Sequence, residues 1–478
     1  MNQDNGGVIG KINTPTTLVA SGVWSIQDQF EAQSSSTWPL AFPQTTFTNT
    51  CRFDDGSSDY LTKTFSSAGN RKTWTWSGWV KRCTLGAQQD LLSVSSGSSA
   101  YHLWYIDSND GVTHNYNGTY VSSAPKFRDV SAWYHFVCAV DTTQSTAADR
   151  VKMYVNGSQI TSFDAAGYPS QDADLSINNN VRHDISNGGA HFSNNFYLDG
   201  YMAEVVFVDG QALTPTSFGA TNPITNIWEP IAYAGTYGTN GFKLNFADSS
   251  NLGDDTSGNT NDFTVNNLTS IDQSTDTPSN NFATLNFLDS GTITFSDGNL
   301  TVVSESDYHA TKGTIGVNTG KWYFEAKINT PSGGSTVDNF IGITGDNTAV
   351  TGTTYDNNPS VIYTGSGTIE KDGTEVQSSL ATFSTGTIVG VALNMDDSEI
   401  EFYVDGSKQG STQSISSFTG FYLPFYIGSN DRTASFNFGA PPYSISSGNA
   451  DANGHGNFEY AVPSGYFALN TKNLSEFG

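Results

Sequence analysis

The stretch Trp133 to Ile160, WYHFVCAVDTTQSTAADRVKMYVNGSQI, decides the fold of this chain. It consists of two β-prone runs, and the second run ends in Asn156-Gly157. Asn-Gly is the strongest short-range signal for a β-hairpin, because both central residues of a type I′ turn need a positive φ angle. Side chains alternate along a strand. The second run therefore predicts a strand with one core face. Val151, Met153 and Val155 form that face, and Lys152 and Tyr154 lie on the opposite face.

The same pattern occurs a second time in the chain. Residues 400–407, IEFYVDGS, match residues 151–158, VKMYVNGS, position by position. A β-prone run precedes each copy, Trp133 to Val140 in the first and Ile388 to Met395 in the second. The repeat predicts two β-domains of similar plan.

The composition indicates an all-β protein. Of the 478 residues, 36% are hydrophobic, 13% are aromatic and 48 are glycine. The length exceeds that of one domain, and almost no segment shows a helical period. We expect two antiparallel β-sandwich (jelly-roll) domains in tandem, with an extended N-terminal arm. Only two short helices are predicted, at Ser25–Gln33 and from Thr214-Pro215, where Thr is a favourable N-cap and Pro a favourable first residue.

The charge of the chain excludes one class of partner. The net charge is −26, and the longest basic clusters are the pairs Arg71-Lys72 and Lys81-Arg82. We expect no nucleic-acid partner, because so acidic a surface repels phosphates. The acidic residues are typical of a solvated surface, and calcium binding is the alternative. Three cysteines, Cys51, Cys83 and Cys138, imply no disulfide framework.

The sequence also bears on where the protein is found. Its first residues lack the apolar run of a signal peptide, and no stretch of about 20 apolar residues occurs, so we expect no membrane insertion. The composition nevertheless resembles that of an extracellular protein. Assembly in a host cytoplasm followed by release through lysis would satisfy both observations.

Composition divides the chain into five segments. They are an N-terminal arm at residues 1–44, a first β-domain at 45–220, an Asn/Thr/Asp-rich bridge at 221–281, a second β-domain at 282–440 and a loop-rich segment at 441–478. The arm has too little apolar surface for its own core. Its Trp24, Phe30 and Trp38 are costly to leave in water, so the arm is predicted to dock on another protein. A mobile terminus is the alternative.

The two ends of the chain resemble one group of proteins. The opening GGVIGKINTPT, with SGVWSIQDQFEAQSSSTWP after it, resembles the start of many virion proteins of tailed phages, marine ones in particular. The segment VPSGYFALNTKNLSEFG near the C-terminus resembles a segment of the same proteins. This resemblance implies a component of the phage particle surface, such as a fibre, spike or appendage, with other virion proteins as partners. It also implies a homo-oligomer, most often a trimer in such appendages.

Each β-domain resembles a known module. The first carries FDDGSSDYL, WTWSGWVK, WYHFVCAVD, VKMYVNG and YLDGYMAEVVFVDGQALTPTSF, and it resembles the laminin-G-like branch of concanavalin A-like jelly rolls. The second carries GKWYFEAKI, FIGI, GVALNMDD and the residue 400–407 hairpin, and it resembles the SPRY module, a sandwich that recognises partners through loops. The concanavalin A-like fold hosts binders, enzymes and structural modules, so the resemblance predicts fold better than activity.

Catalytic motifs are largely missing from the sequence. Glycosidases of the concanavalin A class carry Glu-x-Asp-x-x-Glu or Glu-x-Asp-x-Glu on one strand, which places the acid and the nucleophile on one face. The nearest segment here, residues 398–402 with Glu399 and Glu401, lacks the central Asp and lies in the SPRY-like half. We interpret it as a solvated strand edge. We expect a protein that is not an enzyme and needs no cofactor; the alternative is a polysaccharide-degrading enzyme or its carbohydrate-binding portion.

Exposed aromatic residues are the better functional signal. Sugars stack on rings presented by jelly rolls, while flanking Asn or Asp side chains bind their hydroxyls. The predicted ligand-binding residues are Trp104, Asn115, Tyr116 and Tyr120 around the Asn117-Gly118 turn, and Tyr355 and Tyr363 in the second domain. The ligand is predicted to be a host-surface glycan or a neighbouring virion subunit. A place in the core is the alternative for each ring, because alternation buries every second residue.

One loop resembles the start of a calcium-binding loop. It begins Asp107-Ser108-Asn109-Asp110-Gly111, but Gly118 stands where the twelfth ligand of an EF-hand belongs. As an EF-hand the loop fails. A calcium site at the rim of the sandwich, built partly from Asp107 or Asp110, is the alternative to a plain turn.

Overall fold

The computed structural model describes residues 47–95, 101–188, 196–223, 225–305, 307–329, 336–350, 359–415 and 420–478. These ranges are nearly all β and contain one α-helix, which confirms the predicted fold class. The helix predicted from Thr214 is a single 3₁₀ turn, Pro215–Ser217. The helix predicted at Ser25–Gln33 lies outside the described residues. None of the helices in the described ranges has the length and apolar character needed to cross a bilayer.

The first sandwich is built mainly from thirteen strands. They are β1 Thr50–Phe53, β2 Tyr60–Thr64, β3 Thr73–Arg82, β4 Gln89–Ser95, β5 Tyr101–Ile106, β6 Val112–Tyr116, β7 Thr119–Ser123, β8 Trp133–Asp141, β9 Val151–Val155, β10 Ser158–Gln159, β11 Phe163–Ala166, β12 Arg182–Ile185 and β13 Gly200–Asp209. One sheet has the order β10-β9-β8-β3-β13-β1, and the other has the order β11-β7-β6-β5-β4-β12-β2. Trp74 and Trp76 of β3 point into the core between the sheets, and both are fully buried.

The predicted bridge at residues 221–281 contributes strands to the first sandwich. The strands around and within it are β14 Gly219–Thr221, β15 Trp228–Pro230, β16 Phe242–Leu244, β17 Thr264–Asn266 and β18 Gln273–Ser274. β16 pairs with β13, β17 extends the second sheet beside β2, and β18 extends the first sheet beside β1. The bridge therefore completes both sheets of the sandwich.

The second sandwich has fifteen strands and the helix. They are β19 Leu285–Ser290, β20 Ile293–Ser296, β21 Thr301–Ser304, β22 His309–Gly313, β23 Lys321–Ile328, β24 Asn339–Gly345, β25 Ser360–Thr364, β26 Ile369–Lys371, β27 Thr374–Gln377, β28 Ile388–Asn394, β29 Glu399–Val404, β30 Ser407–Ser414, β31 Tyr422–Gly428, β32 Thr433–Asn437, β33 Phe467–Ala468 and α1 Thr471–Phe477. The sheets have the orders β19-β22-β31-β24-β25-β26-β27 and β20-β21-β32-β23-β28-β29-β30, with β33 parallel to β23.

Both predicted hairpins are present with the turn that the sequence requires. Asn156 and Gly157 have φ angles of 45° and 81°, and Asp405 and Gly406 have φ angles of 46° and 75°. Each turn joins two strands in register, β9 to β10 and β29 to β30. Two positive φ angles in succession are those of a type I′ turn. The repeat in the sequence is thus a repeat of structure.

A polar joint connects the two sandwiches through the end of the bridge. Lys81 of β3 is fully buried, and its ammonium donates to Oδ2 of Asp276 at 2.7 Å, to Oδ1 of Asn281 at 2.8 Å and to the carbonyl oxygen of Phe282 at 3.2 Å. The other oxygen of Asp276 accepts from Nε1 of Trp133 at 3.1 Å. Phe282 packs in an apolar cluster of the second sandwich. The buried charge pair therefore ties β3 to the chain that enters the second sandwich.

The turn between β20 and β21 also contacts the first sandwich. The hydroxyl of Tyr201 donates to the carbonyl oxygen of Gly298 at 3.0 Å, and Nδ2 of Asn299 donates to the carbonyl oxygen of Cys83 at 3.1 Å. Tyr201, Cys83 and Asn299 are all buried. Direct hydrogen bonds thus hold this turn against β13 and the end of β3.

Candidate functional site

The outward face of the second sheet of the first sandwich carries rings and an amide side by side. In β5, the half-buried Tyr101 and Tyr105 lie on one face of the strand, with the buried Leu103 between them. Asn115 of β6 lies directly opposite Tyr120 of β7 in the antiparallel register. Directly opposite residues lie on the same face of a sheet. We call Tyr101, Tyr105, Asn115 and Tyr120 the tyrosine face.

Exposure within the tyrosine face is greatest at the predicted ligand-binding residue Tyr120. Its ring is 46% exposed, and Asn115 is half-buried, with Oδ1 accepting from the backbone N–H of Gly118 at 3.0 Å. The side chain of Asn115 also forms a hydrogen bond with Tyr105. Burial raises the pKa of Tyr105, and a hydrogen bond with Asn115 opposes that rise. The face therefore offers an exposed ring, neutral phenol groups and an amide, which suit a neutral polyhydroxylated ligand.

Two other predicted ligand-binding rings lie in the cores instead. Trp104 is fully buried and meets the ring of Trp76 edge-on at 6.1 Å. Tyr363 is fully buried, stacks on Phe383 at 5.3 Å and donates its hydroxyl to the carbonyl oxygen of Ala381. Alternation along β5 and β25 turns both rings inward, which corrects the ligand-binding prediction for these two residues in favour of the core alternative.

The remaining predicted residues divide into two groups. Tyr116 is half-buried on the core side of β6, with its ring edge-on to His102 at 5.5 Å and its hydroxyl donating to the carbonyl oxygen of Asp174 at 3.4 Å. It is thus not part of the tyrosine face. Outside the described residues lie Tyr355 and the predicted docking residues Trp24, Phe30 and Trp38.

Asp110, one of the predicted calcium ligands, is engaged by cationic side chains. It is 4% exposed; Oδ1 accepts from Arg82 at 3.0 Å and Oδ2 from Arg128 at 2.7 Å. Burial acts to raise the pKa of Asp110, but hydrogen bonds from Arg128, Gly86 and Arg82 hold it below its usual value. A cation at Asp110 would be repelled by two guanidinium groups. The geometry therefore opposes the predicted calcium site at this residue.

Asp107, the other predicted ligand, organises its own turn. Oδ1 accepts from the backbone N–H groups of Asn109 and Gly111, and Oδ2 accepts from the hydroxyl groups of Thr113 and Ser122 at 2.9 and 2.8 Å. These donors satisfy both oxygens, as in an ordinary Asx turn. The plain-turn alternative accounts for Asp107 without an ion.

A different acidic cluster lies where β1 ends and β13 begins. Phe53 pairs with Gly200, so Asp54, Asp55 and Asp199 are brought together by the register of the two strands. One carboxylate oxygen from each lies within 4.8 Å of the others. Burial raises the pKa of Asp199 to about 7, and nearby acidic residues, among them Asp297 of the second sandwich, add to the rise. These are the residues of the described chain that could hold a metal ion.

Asp90 is a buried acid on the second sheet of the first sandwich. It is fully buried in β4; Oδ1 accepts from Nε2 of Gln88 at 2.9 Å, and Oδ2 has no hydrogen-bond partner. Burial raises the pKa of Asp90 to about 8, with Asp184 adding to the rise. Burial therefore favours the protonated form of Asp90, but a carboxyl group buried this deeply cannot contact a substrate as a general acid must.

The carboxylates that the sequence offered as an enzyme alternative lie on the face of β29 opposite the core, and β29 pairs with β28 and β30 on either side. Glu399 is exposed, and Glu401 accepts from Nζ of Lys408 at 2.6 Å, from Thr412 and from the hydroxyl of Tyr403. Burial acts to raise the pKa of Glu401, but these hydrogen bonds lower it overall. A carboxylate held ionised by a lysine is not a proton donor at neutral pH.

A groove runs along the boundary between the sandwiches. Its volume is about 300 Å³, and it lies between the 270–275 segment and the 440–445 segment. Arg52 borders this boundary and donates to the carbonyl oxygens of Ile271 and Pro441 at 2.9 and 3.3 Å. This volume is at the lower end of the range for small-molecule sites. The lining is mostly polar, so the groove is a weaker ligand site than the tyrosine face.

Some site residues that we did not predict are nevertheless indicated by patterns in the sequence. Tyr101 and Tyr105 could have been found from the alternation in YHLWYI, which places them opposite Trp104. Asp54, Asp55 and Asp199 stand within FDDG and LDG, the two motifs quoted above for fold. Nothing local in the sequence indicates that these two motifs meet.

Comparison with known proteins identifies two domains. Residues 55–217 match the family Laminin_G_3, the concanavalin A-like lectin/glucanases superfamily, and residues 321–441 match the SPRY domain family. Among solved structures, the chain is similar to the SPRY domain of human HERC1 (14% identity, 32% of this chain and 96% of that chain covered, TM-score 0.28). It is also similar to the PSpry domain of TRIM65 (15% identity, 32% and 91% covered, TM-score 0.27). A search of curated proteins finds no match. The chain therefore contains two β-sandwich domains of types that fit a binding role.

Proposed function

We propose that this chain is a non-enzymatic structural protein of a tailed-phage particle, a fibre, spike or surface appendage that binds a glycan of the host surface. The sequence at both ends supports the phage origin through its resemblance to virion proteins. The two binding-type domains support the attachment role. The tyrosine face is the observation that carries the proposal, because it presents Tyr120 to solvent beside an amide on a rigid sheet.

The tyrosine face suits sugar better than a charged ligand. Sugar C–H groups stack on an aromatic ring, while amide and phenol groups bind the hydroxyls. The face is part of a sheet whose core rings are locked by packing, so little conformational entropy is lost on binding. A neighbouring virion subunit is the other partner that the same surface would accept.

The arm supplies the attachment to the particle in this proposal. Residues 1–44 carry Trp24, Phe30 and Trp38, and these rings dock on other virion proteins. The chain assembles in the host cytoplasm as a homo-oligomer, a trimer by analogy with such appendages, and it reaches the outside within the particle. Docking by the arm leaves both sandwiches displayed.

Immunoelectron microscopy tests the particle location. An antibody against residues 282–440 is applied to purified mature phage particles, and we expect labelling at a defined position on their surface. Particles whose proteins include the chain by mass spectrometry but bind no antibody would contradict display. Particles without the chain would overturn the virion proposal.

A glycan array tests the tyrosine face. We expect the purified chain to bind a subset of surface polysaccharides, and Tyr120→Ala to reduce that binding at least about tenfold, since stacking on one ring contributes on the order of 1–2 kcal/mol. Phe421→Ala is the matched control, because Phe421 is 47% exposed and lies on the second sandwich. Equal binding by both variants would contradict the assignment of the face.

A second candidate function is polysaccharide cleavage. It is favoured by the match of residues 55–217 to a family whose description includes glucanases. Reducing-end release from capsule or algal glucans is measured for the wild-type chain and for the variants Glu399→Gln and Glu401→Gln. Turnover abolished by one of these changes would replace the non-enzymatic proposal.

A further inference from the structure

The acidic cluster at the end of β1 lies on the boundary between the sandwiches. Asp54, Asp55 and Asp199 each contribute a carboxylate oxygen within 4.8 Å of the other two. The charges that act on Asp199 are those of Asp55, Asp54 and Asp297, all of the same sign. Three to four carboxylates this close repel one another strongly unless a cation or protons lie between them.

Asp199 provides an independent sign of a ligand at this position. The residue is 4% exposed, and Oδ2 accepts from the hydroxyl of Thr84, whereas Oδ1 is buried without a hydrogen-bond partner. Leaving a buried anionic oxygen without a donor costs a few kcal/mol, so native proteins rarely do it. Asp276, another buried acid at the boundary between the sandwiches, has donors on both oxygens. The lone oxygen of Asp199 therefore marks a position where either a proton or a cation is expected.

The second sandwich brings the carboxylate of Asp297 close enough for its charge to raise the pKa of both Asp54 and Asp199. Oδ2 of Asp297 accepts from the hydroxyl of Ser296 at 3.1 Å. Asp297 stands in the turn between β20 and β21, and its φ angle of 52° fits that turn. The next two residues, Gly298 and Asn299, accept from Tyr201 and donate to Cys83, and the backbone N–H of Cys83 donates to the carbonyl oxygen of Asp199 at 3.0 Å. This chain of hydrogen bonds holds the half-buried Asp297 against the cluster.

We propose that Asp54, Asp55 and Asp199 bind a divalent cation, Ca²⁺, and that Asp297 completes the site from the second sandwich. All four groups offer oxygen, which is the donor that hard cations require. The ligands come from three separate loops, and such a flexible set suits the larger Ca²⁺ better than Mg²⁺, which demands a near-ideal octahedron. The ion would fasten the β20–β21 turn onto the first sandwich and so fix the angle between the two domains.

Isothermal titration calorimetry with Ca²⁺ tests the site on the full chain after dialysis against EDTA. We expect one binding site per chain, a rise in the unfolding temperature with Ca²⁺, and weaker binding of Mg²⁺. Asp199→Asn should abolish both the binding heat and the temperature rise. No binding heat and no temperature shift in the wild-type chain would overturn the proposal.

Asp297→Asn tests the contribution of the second sandwich. Asn tolerates the same positive φ angle, so the turn should remain intact, and we expect Ca²⁺ affinity to fall at least about tenfold. The matched control is Asp431→Asn, which removes an exposed carboxylate at φ 61° from another turn of the second sandwich. Unchanged affinity in Asp297→Asn would overturn the bridging of the two domains. An equal loss in Asp431→Asn would do the same, because it would reduce the effect to net charge.

Discussion

Asp90 carries a carboxyl group in a position where a negative charge is costly. Burial raises its folded-state pKa to about 8 from an ordinary value near 4, so the folded chain holds the proton more tightly than the unfolded chain. The contribution of Asp90 to the free energy of unfolding is therefore fully present below about pH 4 and is lost as the pH rises toward 8. Asp90→Asn, which cannot ionise, should gain stability relative to wild type over this window, by about 1.4 kcal/mol per pH unit.

Urea unfolding at pH 4.5, 6 and 8 measures the effect of Asp90→Asn. We expect the free energy of unfolding of the variant, relative to that of wild type, to increase by several kcal/mol from pH 4.5 to pH 8. The variant at pH 4.5 is its own control for packing, because there both side chains are neutral. A difference that stays constant with pH would contradict the buried, protonated state of Asp90.

His183 gives a pH dependence of opposite sign. Its Nδ1 donates to the carbonyl oxygen of Val181 and its Nε2 accepts from the backbone N–H of Asn178, while burial lowers the pKa to about 4. The unfolded chain therefore binds the extra proton first, and stability falls as the pH drops from about 6.5 to 4. His183→Gln removes this titration. We expect the variant to be less stable at pH 7 but to recover about 2–3 kcal/mol relative to wild type at pH 4.5.

Thermal unfolding at the two pH values checks the His183 prediction. The quantity to compare is the destabilisation by His183→Gln at pH 7 minus the destabilisation at pH 4.5. If the variant loses the same stability at both values, His183 does not remain neutral in the folded chain. Asp90→Asn in the same buffers provides the control, because its relative stability moves in the opposite direction.

At the residue scale, the sequence predicted residue types better than their directions. The aromatic cluster near the Asn117-Gly118 turn was predicted, and Tyr120 is indeed exposed there. Trp104 was also predicted to bind ligand, although its neighbour Tyr105 faces outward instead. A single strand shows alternation but not which phase faces the core, because that choice depends on what packs against each side.

At the element scale, each of the two hairpin glycines, Gly157 and Gly406, is covered by an aromatic ring from further along the chain. A Cβ atom on Gly157 would lie 2.5 Å from the ring of Trp228, and one on Gly406 would lie 2.5 Å from the ring of Tyr460. Gly157→Ala should therefore cost more than the conformational strain of a positive φ angle, which alone is about 1–2 kcal/mol. Chemical unfolding measures the loss.

Gly210→Ala separates the two contributions. Gly210 also has a positive φ angle, 90°, but a Cβ atom there meets nothing within 4 Å. Gly210→Ala should lose only the stability that the strained φ angle costs. Gly157→Ala should lose more, because the ring of Trp228 must also move. Equal losses in the two variants would show that the ring yields freely.

Hairpins held by local contacts were predicted from the sequence, whereas the distant pairings of the short strands in the bridge were not. The β9–β10 and β29–β30 hairpins follow from two-residue turns. β16, β17 and β18 are two or three residues long and pair with strands that precede them by tens to hundreds of residues. So short a run has no detectable period of its own, and only the exposed edges of the finished sheets select it.

At the scale of the whole molecule, the fold contains buried charges that no sequence pattern indicated. Lys81-Arg82 was noted above as one of the two longest basic pairs, and both side chains are in fact fully buried. They point to opposite sides of β3, Lys81 into the joint and Arg82 to Asp110. A buried ion pair has no sequence pattern, because it depends on which distant carboxylate the fold brings near.

Lys81→Met should disconnect the sandwiches more than it unfolds either of them. The change leaves Asp276 buried with an uncompensated charge, which costs about 3–5 kcal/mol. We expect calorimetry to show two separated unfolding transitions where the joint of the wild-type chain couples them into one. Lys126→Met is the control, because the Lys126–Asp164 pair is partly exposed and contributes at most about 1 kcal/mol.

Adding Asp276→Asn to Lys81→Met should recover part of the loss, since it removes the stranded charge while keeping acceptors for Trp133 and Phe282. If Lys81→Met and Lys126→Met lose equal stability, or if the double variant recovers nothing, the ammonium of Lys81 does not hold the two domains together.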